Sequence, residues 1–284
     1  MGALYIVATP IGNLEDITLR ALRILKEADL IACEDTRHTA KLLARHGITT
    51  PRKSCHEFNE ENRIPEFLRM LRGGKNIALV GDAGTPLVSD PGYKIVSACR
   101  NEGIPVVPIP GASAAVAALA ASGLPSDCFF FAGFLPPRSV PRRRRLEELA
   151  NIPATLIFFE APHRLVESLK DMAMVLGSRR AALAREITKI HEEFLCGTLG
   201  EILDTLAARP EIRGEITLVI ESAQGKDKGA GAPVFPVSIH EHLAEEVKKS
   251  GLSRNEALKS VALARGISRR DAYRLLQNEI DAAG

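Results

Sequence analysis

The first 110 residues of this 284-residue chain alternate short apolar runs with stretches of helical period, and that alternation constrains the fold more than any other feature. Residues 4–8, 30–33, 77–80 and 106–109 are apolar runs of strand length, and residues 52–55 fit a shorter strand. Helical spacing over 17–28, 38–46, 64–71 and 93–102 separates them. Strands alternating with helices predict a mostly parallel sheet with helices on both faces. In such sheets the ligand-handling groups gather in the loops that leave the carboxyl ends of the strands.

A hinge at Gly111-Ala112-Ser113-Ala114, followed by an alanine-rich helix to Ser122, leads into a second α/β region. Its expected strands are 129–131, 155–159, 181–184 and 216–220, with helices at 144–150, 165–176 and 199–208. The segment QGKDKGAGAP, 224–233, reads as a polar, glycine-rich linker. Beyond it, helices at 239–249, 255–265 and 269–278, with a turn at Gly266 and a cap at Ser268, resemble a helix-turn-helix unit. Its expected core is Ala257, Val261, Gly266, Ile267, Ala272 and Leu275. The expected domains are therefore 1–112, 113–223, a linker over 224–236, and a helical module over 237–284.

Composition excludes several classes. Hydrophobic residues at 45% and charged residues at 25% are those of a folded soluble domain rather than a disordered chain. No apolar run reaches the roughly 18 residues that span a bilayer, and no basic segment precedes the first apolar stretch, so no membrane anchor or signal peptide is expected and the location reads as cytoplasmic. The five cysteines are dispersed without a C-x-x-C pair, and their apolar neighbours predict buried free thiols. His191-Glu192-Glu193 and His240-Glu241-His242 both miss the i, i+4 histidine spacing of a helical zinc site, so no metal is expected.

The net charge of +2 conceals two basic segments. Arg138, Arg142, Arg143, Arg144 and Arg145 fall between Pro137 and Leu146 with no acid among them. Between Lys248 and Arg274 there are eight Lys or Arg against two acids. Local basic patches on a near-neutral body predict a polyanion-binding surface. The arginine loop and the Arg269-Arg270 start of the last helix are the candidate RNA contacts.

Four turn-rich loops follow the first-sheet strands: Thr9-Pro10-Ile11-Gly12-Asn13, Glu34-Asp35-Thr36-Arg37, Gly81-Asp82-Ala83-Gly84-Thr85-Pro86 running on to Ser89-Asp90-Pro91-Gly92, and Pro110-Gly111-Ala112-Ser113. They should converge on one cleft. Neither G-x-G-x-x-G after the first strand nor G-x-x-x-x-G-K-[ST] occurs, which argues against dinucleotide and P-loop sites. In the second region Phe159-Glu160-Ala161-Pro162-His163-Arg164 and Ala184-Arg185-Glu186-Ile187-Thr188-Lys189 also follow strands.

TPIGN, EDTR, GDAGTPLVSDPG, PGAS, FEAPHR and AREITKIHEE, in this order over residues 4–223, resemble the tetrapyrrole-methylase superfamily, and within it the subfamily that methylates ribosomal RNA. The resemblance implies S-adenosylmethionine in a cleft between two α/β domains, and a homodimer. It places Gly81, Asp82, Ala83 and Gly84 against the methionine part of the cofactor, with Ser113 and Ala114 between the domains. It also places Pro10 and Gly12 at the cleft floor, and Glu160, Ala161 and Thr217 around the adenosine. The first loop lacks the richer glycine pattern of porphyrin and corrin methylases, which favours the RNA subfamily over a tetrapyrrole or other small-molecule substrate. The implied reaction is methylation of the ribose 2′-hydroxyl of a decoding-centre cytidine in 16S ribosomal RNA, within the small ribosomal subunit. A base should assist the hydroxyl; Glu34 or Asp35 is expected in that role, with Arg37 placing a phosphate or ribose and Lys189 and His163 in reserve. A ligand-sensing nucleic-acid regulator is the rival from another class, and it leaves the acidic strand-end loops without a purpose.

Overall fold

The structure, a computed structural model, describes residues 1–223, 238–265 and 267–283. The expected linker over 224–236 and the expected turn at Gly266 lie outside the described residues. The described chain divides into two compact units, residues 1–223 and residues 238–283.

The first unit opens with five strands: β1 (Leu4–Val7), β2 (Leu30–Cys33), β3 (Arg52–Ser54), β4 (Ile77–Val80) and β5 (Val106–Ile109). They pair in the order β3-β2-β4-β1-β5, every pair parallel. β2 and β4 are buried at every position, as unbroken apolar strands between two helical layers must be. Pro108 sits on edge strand β5, where a missing N–H costs the sheet least. On one face α1 (Leu19–Glu27) and α2 (Thr36–Arg45) bring Leu25 and Leu43 against Val7, Ile31 and Val80. On the other, α3 (Glu60–Arg72) and α4 (Tyr93–Asn101) bring Phe67, Leu71 and Ile95 against Leu4 and Leu79. Side chains stop the helices at their N-termini: Thr18 Oγ1 accepts from the Ala21 N–H at 3.1 Å, and Asp35 Oδ1 from the Arg37 N–H at 2.7 Å.

Helix α5 (Ala114–Ala121) leads into a second sheet of β6 (Phe129–Phe134), β7 (Thr155–Glu160), β8 (Arg180–Arg185), β9 (Glu193–Thr198) and β10 (Ile216–Ile220). The order is β6-β7-β10-β8-β9, with β6 parallel to β7 and the remaining pairs antiparallel. The small side chains Ala115 and Ala118 of α5 pack closely on Ile157, Ala182 and Val219. The opposite face is covered by α6 (Ser139–Leu149), α7 (Leu165–Leu176) and α8 (Leu199–Ala207), through Leu146, Leu169, Met172 and Leu206. Strand β9 is absent from the sequence reading because it is an edge strand whose residues are only partly buried, so it carries no strong apolar run.

Two sequence expectations are corrected here. Cys33, Cys55 and Cys99 are buried, but Cys128 and Cys196 are exposed: Cys128 precedes edge strand β6 and Cys196 lies on edge strand β9. The arginine-rich segment is not a loop, because α6 starts at Ser139 and carries Arg142 to Arg145 within it.

The second unit consists of α9 (Ile239–Ser250), α10 (Arg254–Ala264) and α11 (Arg269–Ala283) around Leu243, Ala257, Val261, Ala272 and Leu276. Leu276 takes the core place expected for Leu275, which is 42% exposed. Ser268 caps α11 as expected, accepting from the Asp271 N–H at 3.1 Å. Arg265 turns inward, donating to His242 Nδ1 at 3.0 Å and to the Ser238 carbonyl at 2.9 Å, so it is not part of the exposed basic face.

Candidate active site

The four strand-end loops of the first sheet meet as expected, and hydrogen bonds join each to the next. Thr9 and Gly84 exchange two backbone bonds, N–H to O of 2.9 and 3.0 Å, tying the β1 loop to the β4 loop. Thr85 Oγ1 donates to the Ala112 carbonyl at 3.2 Å, tying the β4 loop to the β5 loop. The Asp35 N–H donates to Asp82 Oδ1 at 3.0 Å, which adds the β2 loop. Gly84 holds φ +76°, and a Cβ there would lie 3.2 Å from Ile11 Cγ2, so both backbone conformation and close approach call for glycine.

Two cavities open along this seam. The first, about 380 Å³, lies between the sheets and is lined by Ala83, Gly84, Ser113, Ala114, Glu160, Ala161 and Thr217 among others. These are seven of the eleven residues that the family resemblance places around a cofactor. The other four, Pro10, Gly12, Gly81 and Asp82, line a second cavity of about 320 Å³ on the α2 side. Ile11, Ala83 and Glu215 line both, so the boundary between the cavities is made of those three residues.

Glu160 ends β7 on the wall of the first cavity with its side chain wholly buried. Its Oε1 accepts from the Ala161 N–H at 2.8 Å and forms a short ion pair with Arg164 Nε. Its Oε2 has no partner among the described residues. A buried acceptor left unpaired costs on the order of 1–3 kcal/mol, and a ligand N–H or O–H would relieve that cost. With largely apolar neighbours such as Ile187, Ile216, Phe134 and Phe159, the cavity fits a nucleoside-sized ligand bearing a few polar groups.

The second cavity is closed on one side by the loop after β8. A Cβ on Gly12 would collide with the Lys189 side chain and lie 2.8 Å from Thr188 Oγ1, while the Asn13 N–H donates to that oxygen at 3.0 Å. Glu186 and Thr188 hold φ of +52° and +66° although neither is glycine, a sparsely populated backbone kept by its surroundings. Lys189 Nζ sits 2.8 Å from Glu186 and 3.2 Å from Glu215. Burial alone would lower its pKa, but the two carboxylates outweigh that and raise it.

The carboxylates at the seam differ sharply. Asp35 caps α2 and pairs with Arg37; the Arg37 N–H and then the guanidinium hold its carboxyl below the usual range. Glu34 is pushed up by burial and by the neighbouring Asp82 charge. Neither Glu34, Asp35 nor Arg37 lines either cavity. Asp90 lines the first, and burial, with Glu34 and Asp82 adding like charge, pushes its carboxyl up to about 6. A Cβ on Gly81 would run into Asp90 Oδ2, so the glycine makes room for that carboxylate. Leu87 and Ser89, with φ of +72° and +65°, bend the chain just before it. The sequence alone assigns no role to Ser89-Asp90-Pro91-Gly92; its run of turn residues beside an acid is the signal it offers. His163 is exposed in a short 3-10 turn and lines neither cavity.

A model of the tetrapyrrole (corrin/porphyrin) methylases matches residues 3–203. The chain belongs to the tetrapyrrole methylase family. A ribosomal RNA small subunit methyltransferase I from Halalkalibacterium halodurans is 49% identical over 278 residues, which cover 98% of this chain and 96% of that protein. One of the same name from Synechocystis is 46% identical over 288 residues, the full length of both. A solved uroporphyrin-III C-methyltransferase from Thermus thermophilus, complexed with S-adenyl homocysteine, shares the fold with a TM-score of 0.53 and 23% identity over 78% of this chain and 97% of its own.

In this tetrapyrrole methylase the expected five-arginine RNA grip is only partly present. Arg142 is buried, donating to Asp171 Oδ2 at 2.7 Å and to the Pro137 carbonyl at 3.1 Å, so it cannot reach a phosphate. Arg143 donates to Asp171 Oδ1 at 2.6 Å, and Arg145 to Glu148 at 2.9 Å. Arg138 and Arg144 are exposed. Arg269 and Arg270 are exposed at the start of α11.

Proposed function

We propose that this chain is an S-adenosylmethionine-dependent methyltransferase that methylates small-subunit ribosomal RNA. Its near-full-length identity to proteins of that name supports the reading. The observation that carries the chemistry is the pair of cavities that share Ile11, Ala83 and Glu215, one with an unpaired buried carboxylate oxygen on its wall. Ala83, Gly84, Ser113, Ala114, Ala161 and Thr217 would hold the cofactor, with Glu160 Oε2 accepting from one of its N–H or O–H groups. Pro10, Gly12, Gly81 and Asp82 shape the floor beyond the partition. Bound there, the cofactor supplies an electrophilic methyl on a sulfonium that leaves as a neutral thioether.

The nucleophile is a ribose 2′-hydroxyl, that of a decoding-centre cytidine in 16S ribosomal RNA, and it attacks well only as its proton is accepted. Asp90 is the carboxylate on the cavity wall suited to take that proton, and burial, with the like charges of Glu34 and Asp82, keeps it basic. Asp35 contributes by capping α2, and Arg37, 90% exposed, is available to a phosphate. An enclosed site reaches a ribose within folded RNA when the nucleotide is splayed from its stack. The active form is a homodimer, as the family resemblance implies, and the substrate is the assembled small subunit.

Transfer of labelled methyl from S-adenosylmethionine tests this, with small subunits and naked 16S RNA offered separately from cells lacking the gene. One alkali-resistant linkage in the labelled RNA is expected. Label in neither, from protein that binds the cofactor, would turn the assignment to a small-molecule acceptor.

A further inference from the structure

The second cavity has three features that the cofactor reading leaves unused. Its α2 wall carries His38 and Lys41, one helical turn apart, and Arg45 continues the same face a further turn on. Helix α2 contains Arg37, Lys41 and Arg45 and no acid, unlike α6, whose arginines meet Asp171 and Glu148. Lys41 makes no ion pair among the described residues, whereas Lys189 across the cavity is neutralised by Glu186 and Glu215. Thr9 also lines the cavity, 4% exposed, and its Oγ1 has no hydrogen-bond partner among the described residues.

A buried hydroxyl without a partner, beside a cationic helix face free of acids, matches a sugar joined to a phosphodiester. We infer that this second cavity is the nucleotide subsite, with an RNA phosphate held by Lys41 and His38 and a ribose or base polar group meeting Thr9 Oγ1. The inference rests on the proposed RNA methylation and specifies where that substrate sits. The strand runs along α2 toward Arg45, and its target ribose lies at the boundary lined by Ile11, Ala83 and Glu215, from which the 2′-hydroxyl reaches the first cavity.

The test compares full-length parent, Lys41→Ala, Lys41→Arg and Thr9→Val with small ribosomal subunits as substrate, measuring KM, kcat and the salt dependence of RNA binding, with S-adenosylhomocysteine affinity measured separately. Loss of one phosphate contact should raise KM about three- to tenfold and reduce the slope of log affinity against log salt by about 0.9. Lys41→Arg should restore both, Thr9→Val should raise KM without changing the salt slope, and S-adenosylhomocysteine affinity should stay within twofold in all. Unchanged KM and slope in Lys41→Ala, in a preparation whose parent methylates RNA, would overturn the subsite. A parent that methylates no RNA while binding the cofactor would overturn the functional reading itself, and the subsite with it.

Discussion

Arg142 Nε donates to Asp171 Oδ2 at 2.7 Å, and both side chains are only 3% exposed. The pair locks α6 to α7, with Ser139 and Arg143 also on the same carboxylate. Arg142→Ala leaves that carboxylate in an apolar layer with two of its three partners, and breaking a buried pair costs up to about 3–5 kcal/mol. The expected outcome in chemical denaturation is a loss of that size. Asp171→Asn, which keeps the shape and removes the charge, should also destabilise, by less.

Arg138 and Arg144 are the exposed members of the set, so under the proposed function any RNA contact by this segment falls to them. Replacing both with alanine should flatten the salt dependence of RNA binding by up to about two contacts and leave stability within about 0.5 kcal/mol. Parallel binding titrations of parent and double variant at several salt concentrations check this.

Asp90 should set the acid limb of activity. A proton acceptor works deprotonated, so kcat should rise with pH through about 6, and Asp90→Asn should lower kcat at least a hundredfold and abolish the limb. Glu34→Gln removes a like charge from its neighbourhood and should move the limb to lower pH. Stability runs the opposite way. A carboxyl whose folded pKa is raised favours the folded state below its unfolded pKa and loses that advantage as pH rises through about 6. Asp90→Asn should therefore be more stable than the parent at pH 8, by on the order of 2 kcal/mol, and no more stable at pH 3. Thermal unfolding at the two pH values measures the difference.

Glu160→Gln tests the unpaired oxygen. The amide can still accept from Arg164 through its oxygen, but it presents an N–H₂ where Oε2 stood and cannot accept from a ligand donor. Affinity for S-adenosylhomocysteine, measured by calorimetry without turnover, should fall about tenfold to a hundredfold. An unchanged affinity would place the cofactor's donors elsewhere.

The first sheet was legible because four of its strands are apolar runs closed by turn residues, and all five are found at or within one residue of the expected bounds. The strand-end loops followed from that, whereas the eleven expected cofactor positions are what the family resemblance implies. Their division between two cavities was not legible, since nothing in the local sequence shows that Ile11, Ala83 and Glu215 stand between them. Charge was the least legible quantity. Five clustered arginines read as an exposed grip because Asp171, which neutralises two of them, lies about thirty residues away in sequence. Asp90 escaped for the same reason: its basicity comes first from burial and then from Glu34 and Asp82, and only the fold supplies either.

A boundary of three shared residues, Ile11, Ala83 and Glu215, ties the chemistry of the two chambers together. Whatever displacement of Ile11 or Ala83 accompanies the filling of one cavity is felt in the other, and thermodynamic reciprocity requires each ligand to alter the other's affinity by the same factor. Substitution at Ala83 cannot then tune one ligand alone: an enlarged side chain there tightens the space on both sides at once.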